Sequence, residues 1–190
     1  RFTGRRMRRA RTTRLGFTAS HSPAPPFTRP TQVTAMADTR QLTGEFSLID
    51  EAATLGLGAW LAEHTKPGSV IFLHGNLGAG KTTLVRGYLQ ALGHSGPVKS
   101  PTFTLVEEYV LGGQRIFHFD LYRLSDPEEL EWMGIRDYFS KDSIAFLEWP
   151  ERGQGFLPAA DLEITLIYDG ASRIAKIVTP EMSDPLPQKK

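Results

Sequence analysis

The chain has 190 residues, 40% hydrophobic and 23% charged, which suits one domain with a real core and excludes two large ones. It has no cysteine, so disulfides, thiolate metal sites and cysteine nucleophiles are excluded, and no run of about 18 apolar residues that would span a membrane. The net charge of +1 hides an asymmetry: residues 1–37 carry eight arginines and no acid, leaving 14 basic against 21 acidic residues elsewhere.

Residues 1–40 mix Arg with Ser, Thr and Pro without an apolar period, so a disordered basic leader is expected. Without an apolar core segment it is not a secretory signal. It reads first as an extension of the gene model ahead of Met36, then as a transit peptide, then as a basic nucleic-acid arm. The acidic remainder argues against a broad nucleic-acid-binding face, because phosphate neutralisation needs clustered Lys and Arg. An ordered domain is expected over residues 41–180, with a flexible tail over 181–190.

Within that domain, Asp50 or Ser47 can cap a first helix that runs to about His64, weakened by Gly56 and Gly58. Pro67-Gly68 turns into a short apolar strand, Ser69–His74. A glycine-rich loop and a helix from Lys81 to about Leu92 follow, closed by Gly93. Phe103–Val110 and Arg115–Leu121 read as a hairpin. Ser125-Asp126-Pro127-Glu128-Glu129 opens another helix, and Ser143–Glu148 is a buried apolar strand. Leu162–Tyr168 and Ile174–Val178 form a second hairpin around Asp169-Gly170. The sum is an α/β, three-layer sandwich with a mixed sheet and accessory hairpins.

Gly75-Asn76-Leu77-Gly78-Ala79-Gly80-Lys81-Thr82 matches G-x-x-x-x-G-K-[ST] in full, between a strand and a helix. Glycines there let backbone amides converge on a polyphosphate beside the positive end of the next helix. Lys81 would reach the β/γ oxygens, and the Thr82 hydroxyl would ligate Mg²⁺. A chance glycine turn is the bland alternative, and the strand–loop–helix context opposes it. No Asn-Lys-x-Asp guanine-reading motif occurs, which tilts the base toward adenine.

Such a site needs a carboxylate at a strand end. Asp120 ends Ile116–Phe119, and Glu148 ends Ile144–Leu147. Glu148 follows the more uniformly apolar run, which suits a central strand beside the loop strand. Both are expected at the carboxyl edge of the sheet; the bland reading of either is an exposed strand-end charge or a salt bridge. His74 and His118 read as strand residues packing near the loop, not as bases, and Trp132 and Trp149 as packing or interface residues. Thr102 and Thr104 read as a nucleotide-sensing segment or ordinary strand threonines. Arg86, Arg123 and Arg152 could stabilise transition-state charge, although surface pairing is the plainer use.

Three further segments are more specific than the loop: Lys99–Tyr109 (KSPTFTLVEEY), His118–Leu124 (HFDLYRL) and Phe146–Arg152 (FLEWPER). With the loop and Thr83-Leu84, they resemble the bacterial TsaE family, the ATPase subunit for synthesis of threonylcarbamoyladenosine (t6A) in tRNA. The resemblance covers about residues 41–180. It implies a cytoplasmic, weak Mg²⁺-dependent ATPase acting with a threonylcarbamoyl-transferase subunit and its inactive paralogue. Together these modify adenosine 37 of tRNAs reading codons that begin with A, so this chain meets tRNA only through partners. The resemblance assigns phosphate and Mg²⁺ roles to Lys81 and Thr82, the metal-side acid to Glu148 and a hydrolytic role to Asp120. It also places Glu51 near the nucleotide and makes Ser100–Thr104 switch-like. The basic leader departs from the family pattern. Two rival readings are a P-loop small-molecule (nucleoside or sugar) kinase, for which no Arg-rich lid is evident, and a non-catalytic nucleotide-gated module.

Overall fold

A computed structural model describes residues 42–180. The expected leader and tail lie outside the described residues. β1 (Gly44–Leu48) opens the domain, followed by α1 (Glu51–His64), β2 (Val70–His74) and α2 (Lys81–Ala91). β3 (Val106–Leu111) and β4 (Gln114–Asp120) form the first hairpin. After α3 (Glu129–Trp132) come β5 (Ser143–Glu148), β6 (Leu162–Asp169) and β7 (Ser172–Val178).

All seven strands join one sheet in the order β1-β7-β6-β2-β5-β4-β3. β6, β2, β5 and β4 are mutually parallel, while β3, β7 and β1 pair antiparallel toward the edges. Both hairpins are therefore part of the main sheet. β5 lies between β2 and β4, and every residue of it is buried, as its continuous apolar run requires.

The strand period divides the core in two. Ile71, Leu73, Ile144 and Phe146 face α1 and α2. Val70, Phe117, Phe119, Ala145 and Leu147 face the opposite layer, which Leu124, Leu130 and Ile135 cover. This gives the three layers.

Asp50, not Ser47, caps α1: its Oδ1 accepts from the Ala53 amide at 2.8 Å, while Ser47 lies within β1. α2 ends in a Schellman motif, with Gly93 at φ 94° and the His94 amide donating to the Leu89 carbonyl at 3.0 Å. Gly58, which weakens α1 on propensity, is where the two helices touch. A Cβ there would meet the Leu84 carbonyl oxygen, and one at Gly87 would meet that of Leu55.

The structure differs from these expectations, or adds to them, at three places. β1 was not anticipated; its five residues are short and pair only with β7. The expected strand at Phe103–Leu105 is a turn, because Leu105 takes φ 63° and β3 begins only at Val106. The helix opened by Asp126 and Pro127 lasts one turn, after which Gly134, at φ 71°, redirects the chain into a 3-10 turn at Ile135–Tyr138.

Candidate functional site

The site gathers at the carboxyl ends of β2, β5 and β4. The loop 75–80 leaves β2 and enters α2 directly. Gly75 has φ 135°, and its Cα faces the Leu166 carbonyl so closely that no side chain would fit. Gly80, at φ 108°, is the N-cap of α2 and offers no side chain of its own. The N-terminus of an eleven-residue helix therefore opens on the loop.

Lys81 is buried, 4% exposed, and folded back on its own loop. Its Nζ donates to the carbonyls of Gly75 at 2.7 Å and Asn76 at 3.2 Å. It also lies 3.9 Å from Glu148 Oε2 and 4.3 Å from the centre of the Trp149 ring. Burial holds its pKa below the ordinary 10.5, opposed by the negative charges of Glu148, Asp120 and Glu151.

The two acids stand side by side. β4 and β5 run parallel in a register that pairs Asp120 with Glu148, and both are buried at 3% exposure. The Thr82 hydroxyl donates to Glu148 Oε1 at 2.8 Å. Asp120 is engaged differently. Its Oδ2 accepts from the hydroxyls of Ser100 and of Thr102, the latter at 2.7 Å, and its Oδ1 accepts from the Tyr122 amide at 3.0 Å. The 100–104 segment thus sits on Asp120, while Thr104 turns away to Glu107 at 3.2 Å.

On the other side of the loop a hollow is lined by Glu51, Thr54, Gly78, Gly80, Thr83 and Arg173. Glu51 is paired with Arg86 from α2. The β6–β7 hairpin supplies the far wall. Tyr168 donates its hydroxyl to the Leu77 carbonyl at 3.1 Å, while the Leu77 side chain remains exposed at the loop tip and Ala79 is buried beneath it.

Thr82 and Glu148 fit Mg²⁺: a hydroxyl and a carboxylate are hard oxygen donors, and they already touch. No cluster of three or more His, Cys, Asp or Glu able to hold a metal occurs among the described residues. A phosphate-assisted Mg²⁺ site needs only one or two carboxylates.

Two of the residues read as packing groups also contact the site. Trp149 stands against Lys81, with its own backbone at φ 58°, an outlier for a bulky residue. His118 Nε2 lies 2.9 Å from Glu148 Oε1. Trp132 is 81% exposed. His74 is a strand residue on the opposite face, near Glu163 at 3.4 Å. Arg86 pairs with Glu51, and the Arg123 guanidinium lies 4.3 Å from the Phe103 ring. Arg173 was not singled out. Nothing local in the sequence marks it, because it reaches the loop only through the β2–β6–β7 pairing order.

Residues 48–175 match the family model described as threonylcarbamoyl adenosine biosynthesis protein TsaE. The chain belongs to the TsaE family. The TsaE match runs from the end of β1 into β7 and so includes the loop, both acids and Arg173. A TsaE protein of Haemophilus influenzae is 57% identical over 134 residues, covering 67% of this chain and 85% of that protein. One from Nostoc is 43% identical over 144 residues, covering 72% and 86%. Among solved structures, Bacillus subtilis YdiB superposes with a TM-score of 0.61 at 28% identity, covering 73% of this chain and 86% of that one. No helix among the described residues is long and apolar enough to cross a membrane.

Proposed function

We propose that this TsaE-family chain hydrolyses ATP as a subunit of the machinery that forms threonylcarbamoyladenosine at position 37 of tRNAs reading codons that begin with A. It acts in the cytoplasm with a threonylcarbamoyl-transferase subunit and its inactive paralogue, and reaches tRNA through them. The names of the relatives support the pathway. The observation that carries the ATP reading is the Thr82–Glu148 hydrogen bond at the mouth of a complete phosphate loop.

The loop amides of residues 75–82 and the Lys81 ammonium bind the β- and γ-phosphates. Lys81 does so by exchanging the Gly75 and Asn76 carbonyls for phosphate oxygens. Glu51, Thr83 and Arg173 line the hollow for the nucleoside end. Thr82 and Glu148 hold Mg²⁺, which neutralises phosphate charge when bound. Water attacks the γ-phosphorus in line as the bond to the β–γ bridging oxygen breaks, releasing ADP and phosphate. Asp120 orients that water once Ser100 and Thr102 release it, and the water's proton passes to the carboxylate or to solvent.

The test is reconstitution of t6A on unmodified tRNA with the transferase, the paralogue and the threonylcarbamoyl donor. Wild-type chain with ATP supports repeated turnover, and Lys81→Ala does not. Full t6A formation with Lys81→Ala, or ADP release only when a nucleoside or sugar acceptor is added, contradicts the proposal.

A further inference from the structure

We propose that His118 is a positioning residue that fixes the rotation of the Glu148 carboxylate and thereby sets the affinity of the site for Mg²⁺. The inference rests on the reading of Thr82 and Glu148 as the Mg²⁺ side of the site.

His118 lies on β4 with no exposed surface, on the face that β4 and β5 turn toward α2. Its Nε2 is 2.9 Å from Glu148 Oε1, the same oxygen that accepts the Thr82 hydroxyl at 2.8 Å. A carboxylate has no proton to give, so His118 carries its proton on Nε2 and donates. One oxygen is thus held between two donors. The other, Oε2, is left turned toward the Lys81 ammonium at 3.9 Å. The terminal torsion of a glutamate is broad and nearly two-fold, so without a second donor the carboxylate is free to turn. With Oε1 occupied, Oε2 is the oxygen presented to a cation and its waters. Thr82, having directed its only proton at Oε1, has only lone pairs to offer.

A buried histidine that merely fills the core is the plain alternative. Two observations oppose it. Ile116, two residues earlier on the same face of β4, and Phe146, its cross-strand neighbour on β5, are both fully buried and apolar, so this face accommodates an apolar side chain. The other nitrogen of His118, Nδ1, is buried without a hydrogen-bond partner, a cost that a filler residue has no reason to carry. Carboxylates that bind metals are commonly oriented in this way by a second hydrogen-bonding group, and losing one lowers metal affinity roughly 10–100-fold.

The experiment is isothermal titration of the full chain with the non-hydrolysable analogue AMP-PNP, with and without Mg²⁺. The readout is the ratio of the two affinities. His118→Phe is expected to leave the Mg²⁺-free affinity unchanged and to lower the ratio about tenfold. His118→Gln, whose amide nitrogen reaches the place of Nε2, restores the ratio. His118→Asn, whose amide reaches only the place of Nδ1, does not. If His118→Phe fails to fold, the Gln and Asn variants decide between them. A wild-type ratio in His118→Phe, or equal ratios in Gln and Asn, overturns the inference. A wild-type chain with no Mg²⁺ dependence would overturn the reading of the site itself.

Discussion

The Lys81 ammonium lies 4.3 Å from the centre of the Trp149 ring, while its hydrogen bonds go to carbonyls of its own loop. On the proposed reading, a bound triphosphate draws Lys81 away from both. Trp149 is only partly buried and also touches Tyr122, with ring centres 5.0 Å apart. Its fluorescence should therefore change when ATP binds, and the change should disappear in Trp149→Phe. Trp60, sealed in the core, and Trp132, in open solvent, provide the unchanging background.

Lys81→Met should separate binding from folding. The side chain is buried, and its charge is desolvated, so a neutral replacement of similar length leaves the fold standing. Each charge-assisted bond to phosphate is worth roughly 1.5–3 kcal/mol, so ATP affinity should fall at least about tenfold. Titration calorimetry and a thermal melt on the same sample check both halves.

The lowered pKa of Lys81 predicts opposite pH trends for affinity and stability. Phosphate needs the ammonium form. As pH rises through the lowered value, affinity for ATP should fall, beginning below the ordinary 10.5, and binding should take up a proton. In the same window the unfolded chain holds more protons at this position than the folded one. The contribution of Lys81 to stability without nucleotide therefore rises with pH. Dissociation constants and denaturant midpoints measured from about pH 7 to about pH 10 give both slopes.

Asp120 and Glu148 should fail differently. Asp120→Asn keeps an oxygen for Ser100 or Thr102 but loses the charge proposed to orient water. Its single-turnover hydrolysis should drop about 100-fold or more, with ATP binding retained. Glu148→Gln should lose the Mg²⁺ enhancement of binding as well.

The α1–α2 crossing gives a stability test remote from the chemistry. Gly58→Ala places a methyl group against the Leu84 carbonyl and 2.7 Å from the Tyr88 amide nitrogen, both backbone atoms. Destabilisation of about 1–3 kcal/mol, and a Tm lower by several degrees, is expected. Nucleotide affinity measured well below the transition should be unchanged.

The legible parts of this molecule were those whose signal is local. A glycine loop between an apolar strand and a helix announces itself, and a fully apolar run such as Ile144–Leu147 places Glu148 on a central strand. Asp120 is legible as a strand-end acid because it closes the strand-like segment Ile116–Phe119. What escaped depends on pairing across the sheet. Arg173 reaches the loop through two strand pairings, and His118 meets Glu148 only because β4 and β5 share a register. Gly58 was misjudged on propensity because its value lies in a contact with α2. The turn at Phe103–Leu105 hid behind strand-forming residues, although Leu105 bends there to direct its carbonyl at the Asp120 amide, 3.1 Å away.

A crystal structure with AMP-PNP and Mg²⁺ tests the central claim most directly. The account predicts phosphates wrapped by residues 75–82, Lys81 Nζ moved from the Gly75 and Asn76 carbonyls onto phosphate oxygen, and a metal ion beside Thr82 Oγ1 and Glu148. Nucleotide bound elsewhere, with Lys81 still bonded to those two carbonyls, would contradict it.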